Sequence, residues 1–179
     1  GTPFRAGLSP MYEILHKADR VLAKFEYLLL TVLVAALTVI LSAQVVLRYF
    51  FSSPLFWAEE ISVQALIAAS FIGVSYLLYA GKLVRVDALL TLFRQPHLDR
   101  LLSVLHLVSL LTLLVLCYVS TVWILRPEIR ADISPTTQLP RWYNYAILVA
   151  SFYGMAWHQF VKLVGTARSF RTQPEGPAS

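Results

Sequence analysis

Three features of the 179-residue chain predict an all-α integral membrane protein with four transmembrane helices, plus amphipathic interfacial helices at the N-terminus and between spans 2 and 3. Hydrophobic residues make up 58% of the sequence and charged residues only 14%. The apolar residues gather into four runs, 27–47, 61–80, 101–125 and 142–161, with no Asp, Glu, Lys or Arg inside them. Each run is about 20 residues, enough for a helix to cross a hydrocarbon core roughly 30 Å thick, and soluble core helices rarely stay apolar on every face for so long.

Residues 1–10 precede Met11, which has the look of a natural start, and are expected to be foreign to the native chain. Residues 11–25 form an amphipathic pattern. Met11, Ile14, Leu15, Ala18, Leu22 and Phe25 share one face, and Glu13, His16, Lys17, Asp19, Arg20 and Lys24 lie mostly elsewhere. Ser9 and Pro10 suit the cap and first position of such a helix. A four-span domain follows over 26–165, with helices expected near 26–51, 54–80, 98–125 and 140–165. Ser53 and Pro54 read as the start of the second. Between spans 2 and 3, residues 84–95 repeat the amphipathic pattern. Leu89, Leu90 and Phe93 are apolar there, and Arg85 and Asp87 point away from them. Both amphipathic helices are expected along the interface, with basic residues toward membrane lipids. Residues 166–179 have the composition of a disordered tail. The first run is too long for a signal peptide and is followed by no A-x-A-like site.

The net charge of +5 could suggest nucleic acid, but its distribution points to a membrane instead. Eleven of the fifteen Lys and Arg residues fall before span 1, between spans 2 and 3, or after span 4. This asymmetry places both termini in the cytoplasm. Aromatic residues gather at the opposite boundary, among them Tyr49, Phe56, Trp57, Trp123, Trp142 and Tyr143, as expected for a belt at headgroup level. The one cysteine, Cys117, lies inside the third run and excludes an intrachain disulfide.

The stretch RYFFSSPLFWAEE, 48–60, places ions beside two uncharged runs. Ionised groups near lipid are costly unless paired, so a structural ion pair is expected between Arg48 and Glu60 across the first hairpin. Gln44 shares a helical face with Arg48, and Gln64 with Glu60 and Trp57; the two glutamines would complete its hydrogen bonds. Glu59 would point elsewhere, toward a partner or toward headgroups. Small residues recur every fourth position at Ala65, Ala69 and Gly73, and again at Ala146, Ala150 and Gly154. They suit close helix approach, either inside the protein or against a partner. Arg126, Glu128, Arg130 and Asp132 are candidate docking residues on the outer loop. His106 and His158 fall at similar depth on antiparallel spans and leave open a four-helix b-type cytochrome. A stand-alone small transporter is a further alternative, although no span has a broken core or a midplane carboxylate. No motif for catalysis, phosphate binding or metal binding is present, so neither an enzyme nor a cofactor is expected.

R-Y-F followed by W-A-E-E-I, then Gly73 and G-K-L-V-R-V-D after span 2, resembles the small membrane subunit of tripartite ATP-independent periplasmic (TRAP) transporters. The third loop, S-P-T-T-Q-L-P-R-W, resembles the same family just ahead of its last span. The resemblance covers about residues 12–165. Leu83 stands where the family often has histidine, and the last span lacks an early proline, so no role at those positions carries over. The resemblance implies a chain of the bacterial inner membrane that packs on the scaffold of a large membrane subunit. That subunit would carry the substrate and sodium sites, and a periplasmic substrate-binding protein would deliver an organic anion. The residues recognising the substrate would then lie on other chains.

Overall fold

The computed structural model describes residues 10–53, 55–81, 97–135 and 137–172. They form α1 (Pro10–Phe50), α2 (Phe56–Ala80), α3 (His97–Ile124), the single turn α4 (Pro127–Arg130) and α5 (Trp142–Thr172). Four of these helices are long and apolar enough to cross a membrane. The helix expected at 84–95, with Arg85, Asp87, Leu89, Leu90 and Phe93, lies outside the described residues.

The first helix differs from expectation. No separate amphipathic helix precedes the span, because α1 runs unbroken through 41 residues. At about 1.5 Å per residue it is roughly 60 Å long, twice the thickness of a hydrocarbon core. From Met11 to Phe51 the sequence holds neither glycine nor proline. Turning from the interface into the bilayer would need a break, and nothing in the sequence supplies one. Two other boundaries also move. The second helix starts at Phe56, after an extended Leu55 whose side chain makes no cap. The last continues to Thr172, so the first residues of the expected tail are helical.

The four long helices alternate in direction and lie in an open layer ordered α1, α2, α5, α3. Only 6% of the apolar window of α1 and of α3 is buried, against 28% of α2 and 39% of α5. The inner helices therefore carry the packing, and the outer two present hydrocarbon outward. Small side chains on α2, including Ala58, Ser62, Ala68 and Ala69, are buried and let its neighbours approach. A Cβ at Gly73 would stand 3.7 Å from Leu30 of α1. On the other side of α2, Phe71 meets Phe152 edge to face at 5.8 Å. Several hydroxyls within the spans are satisfied at home: Thr31, Thr38, Ser70, Thr112, Thr121 and Ser151 each donate to the carbonyl four residues back.

The turns are tight. Ser52 adopts a left-handed conformation (φ 48°), and the N–H groups of Phe51 and Ser53 both reach the Leu47 carbonyl. After α4, which has a proline in its first turn, an isolated bridge pairs Ile133 with Pro140. Gly81 closes α2 at φ 67° and donates its N–H to Leu77 O and Leu78 O. A side chain is strained there, so Gly81→Ala should lower stability by about 1 kcal/mol. Asn, which tolerates this region, should recover part of the loss. Unfolding of the full chain in mixed micelles, followed by circular dichroism, measures both.

Candidate functional site

The polar centre of the protein lies toward the end where α1 begins and α5 finishes. On α1, positions 12, 16, 19, 23, 26 and 30 fall three or four apart and share one face. Asp19, Ala23 and Glu26 on this face are buried, whereas Ile14, Val21 and Phe25 are more than 60% exposed. The apolar face of the N-terminal segment therefore points outward and its polar stripe points in. Asp19 and Glu26 are the charged residues that gain shelter, whereas Glu13, Lys17, Arg20 and Lys24 stay exposed.

His158 of α5 receives this stripe. Its ring is fully buried; Nδ1 lies 2.6 Å from Asp19 Oδ1 and Nε2 lies 3.1 Å from Glu26 Oε2. Ser75 of α2 donates to the other Glu26 oxygen at 2.7 Å. The Tyr79 ring packs on the imidazole with centroids 5.3 Å apart. Gly154 makes the space. A Cβ there would stand 2.8 Å from Glu26 Oε1 and 3.0 Å from Ser75 Oγ, so any side chain would push against the carboxylate. A neutral imidazole has one N–H, yet both ring nitrogens face carboxyl oxygens. The cluster therefore holds a further proton, on the ring or on one carboxyl.

The next residue extends the network to α3. Gln159 Nε2 donates to His106 Nδ1 at 2.9 Å and to the His106 carbonyl at 3.1 Å. Lys162, one turn further, donates to Leu78 O near the end of α2. All four long helices are thus tied together over about one turn of α5. His106 and His158 do sit at similar depth, but the cytochrome reading fails on their bonding. Both nitrogens of His158 are engaged by carboxylates, leaving none for an iron. Among the described residues no group of three or more His, Cys, Asp or Glu is arranged to hold a metal ion.

At the opposite end the expected clamp is replaced by another. Glu60 pairs with Arg141 at 3.6 Å, and Arg141 also approaches Asp132 at 3.8 Å. Tyr145 OH donates to Asp132 at 3.1 Å. Arg48 is exposed and makes no ion pair among the described residues; it shares a small pocket with Gln44 and Glu59. The same-helix groupings hold, with Gln44 beside Arg48 and Gln64 beside Glu60. The error was one of rotation. Glu59 is the residue turned toward α1, while Glu60 and Gln64 face a groove shared with Arg141 and Asn144.

The remaining candidates divide. Ala69, Gly73 and Gly154 serve internal packing, Ala65 and Ala146 are half-buried, and Ala150, Trp57 and Glu59 are exposed. Arg126, Glu128 and Arg130 are exposed on the outer loop, whereas Asp132 is turned inward to Arg141. Asp19, Glu26, Ser75, Gln159 and Lys162 were missed by sequence reasoning. The polar stripe on α1 was the available signal.

The described residues form a layer of four helices long and apolar enough to cross a membrane, with Asp19, Glu26 and His158 locked against one another inside it. Residues 19–169 match the family model for tripartite ATP-independent periplasmic transporters, DctQ component, and the chain belongs to this family, the small membrane component of TRAP transporters. It is a family of transporter components rather than of enzymes. A search of curated proteins returned no match to the chain.

Two expectations follow from this geometry. His158→Leu leaves two carboxyl groups without their common partner and should cost about 3–5 kcal/mol, as for other broken buried pairs. Adding Asp19→Asn and Glu26→Gln should restore much of that loss in the same micelle unfolding assay. At the other end, Glu60→Gln and Arg141→Gln should be coupled by about 0.2–1 kcal/mol in a double-mutant cycle, because the pair is partly exposed. Glu60→Gln and Arg48→Gln should simply add.

Proposed function

We propose that the chain is the small subunit of a sodium-coupled secondary transporter for an organic anion, located in the bacterial inner membrane with both termini in the cytoplasm. It packs on the static scaffold of a large membrane subunit and helps dock a periplasmic substrate-binding protein. The observation that carries this reading is the open layer. The apolar windows of its outer helices are only 6% buried, while Asp19, Glu26 and His158 within it are tied to one another, as are Gln159 and His106. Such a layer widens a membrane complex and offers no route for a solute, which disfavours a stand-alone transporter.

The orientation rests on the distribution of basic residues. A cysteine placed at Thr137 should be labelled from outside the cell, and one at Gln95 should not. With that orientation, the outer loop and the 51–55 turn form the periplasmic surface. Asp132 is committed to Arg141 and Tyr145, so docking falls to Arg126, Glu128 and Arg130. Reversing these three charges should cut binding-protein-dependent uptake severalfold, mainly through slower association. Co-purification with the large membrane subunit should survive the change. Unaltered uptake would move the docking surface elsewhere, and failure to co-purify even without the reversals would remove the accessory role.

A further inference from the structure

Where α2 and α5 begin side by side, an open groove of about 350 Å³ runs between them. Glu60, Val63, Gln64 and Ile67 border it from α2, and Arg141 and Asn144 from the other side. Val63 is 53% exposed and Ile67 39%, so the apolar part of the wall is open. Gln64 and Asn144 are half-buried, and among the described residues neither amide has a hydrogen-bond partner. Each amide brings one acceptor and two donors. Ser70 and Ser151, on the same two helices, bond to their own backbone instead.

Depth sharpens the contrast. Gln64 stands about 12 Å inside α2, measured along the axis from Phe56, and Asn144 lies in the first turn of α5. Both belong to candidate membrane spans. An acyl chain in the groove would cover Val63 and Ile67 but leave both amides unmet. Another polypeptide enters at this depth as a helix, and polar side chains on it can meet the two amides. Glu60 and Arg141 already offset each other at 3.6 Å. A further ion would be desolvated here without a counter-charge, so the fitting helix carries neutral Ser, Thr, Asn or Gln. Shape decides between a second copy and a different chain. Helices pack by seating a ridge in a groove, and a two-fold pair of this chain would set one concavity against another.

We propose that this groove receives a transmembrane helix of the large membrane subunit, held by neutral hydrogen bonds to Gln64 and Asn144. The inference rests on the accessory role and adds to it the face of the layer that meets the scaffold.

The complex co-expressed with the large membrane subunit tests it, with a photoreactive benzophenone side chain in place of Val63 or, separately, Ile67. Irradiation should link both positions to the large subunit. Gln64→Leu and Asn144→Leu together should weaken assembly about tenfold, read by energy transfer between labelled subunits in vesicles. That is the scale of two interhelical hydrogen bonds in a bilayer. In the isolated chain the same double change should leave micelle unfolding as it was, because neither amide serves the chain's own packing. The inference is overturned if the links run only to lipid or to a second copy of this chain. It is overturned too if the double variant assembles like the unaltered chain, or destabilises the isolated chain as much as the complex. Co-purification without a link at either position removes only the contact proposed here. If the unaltered chain fails to co-purify with the large subunit, the accessory role itself falls and this inference with it.

Discussion

The fold depends on how a membrane protein encloses charge, and here that task falls to one imidazole. His158 stands between two carboxylates of α1, and Ser75 of α2 completes the coordination of Glu26. Without these contacts α1 would have little reason to stay beside α5, since the two helices meet mainly across the polar stripe. Apolar burial cannot do the same work. Lipid tails receive leucine and valine as readily as a neighbouring helix does, so association in a bilayer rests on packing and polar contacts. The space that Gly154 leaves for Glu26 is part of the same solution.

Which residues make up each long apolar helix was legible in the sequence. Four uncharged runs of suitable length gave the spans, and their antiparallel order placed His106 level with His158. Counting works because the rise per residue is fixed. Rotation about each axis was much less legible. Which face of α2 meets α1 depends on α2 also meeting α5, a neighbour that only the assembled layer reveals. Glu60 was therefore assigned to Arg48 when its partner was Arg141, eighty-one residues away in the chain.

The N-terminal segment shows a different limit. Its pattern of apolar and charged positions was read as an amphipathic helix lying along the interface, with basic residues toward lipid headgroups. Asp19 was placed with the other charged positions of that helix and Glu26 was given no role, although the spacing that brings them together with Tyr12 and His16 was present in the sequence. The deciding clue was the absence of any glycine or proline between Met11 and Phe51, which joins this segment rigidly to the span.

That rigid join fixes more than a helix length. Between Glu26 and Arg48 lie 21 uncharged residues, about 31 Å of helix, close to the thickness of the hydrocarbon core. The exposed charges of Lys24 and Arg48 just beyond its two ends resist displacement in either direction, so α1 acts as a depth gauge. Everything bolted to it by His158 inherits its elevation in the bilayer. A partner leaning on this subunit would receive a fixed height reference along the membrane normal, which a short or hinged helix could not give.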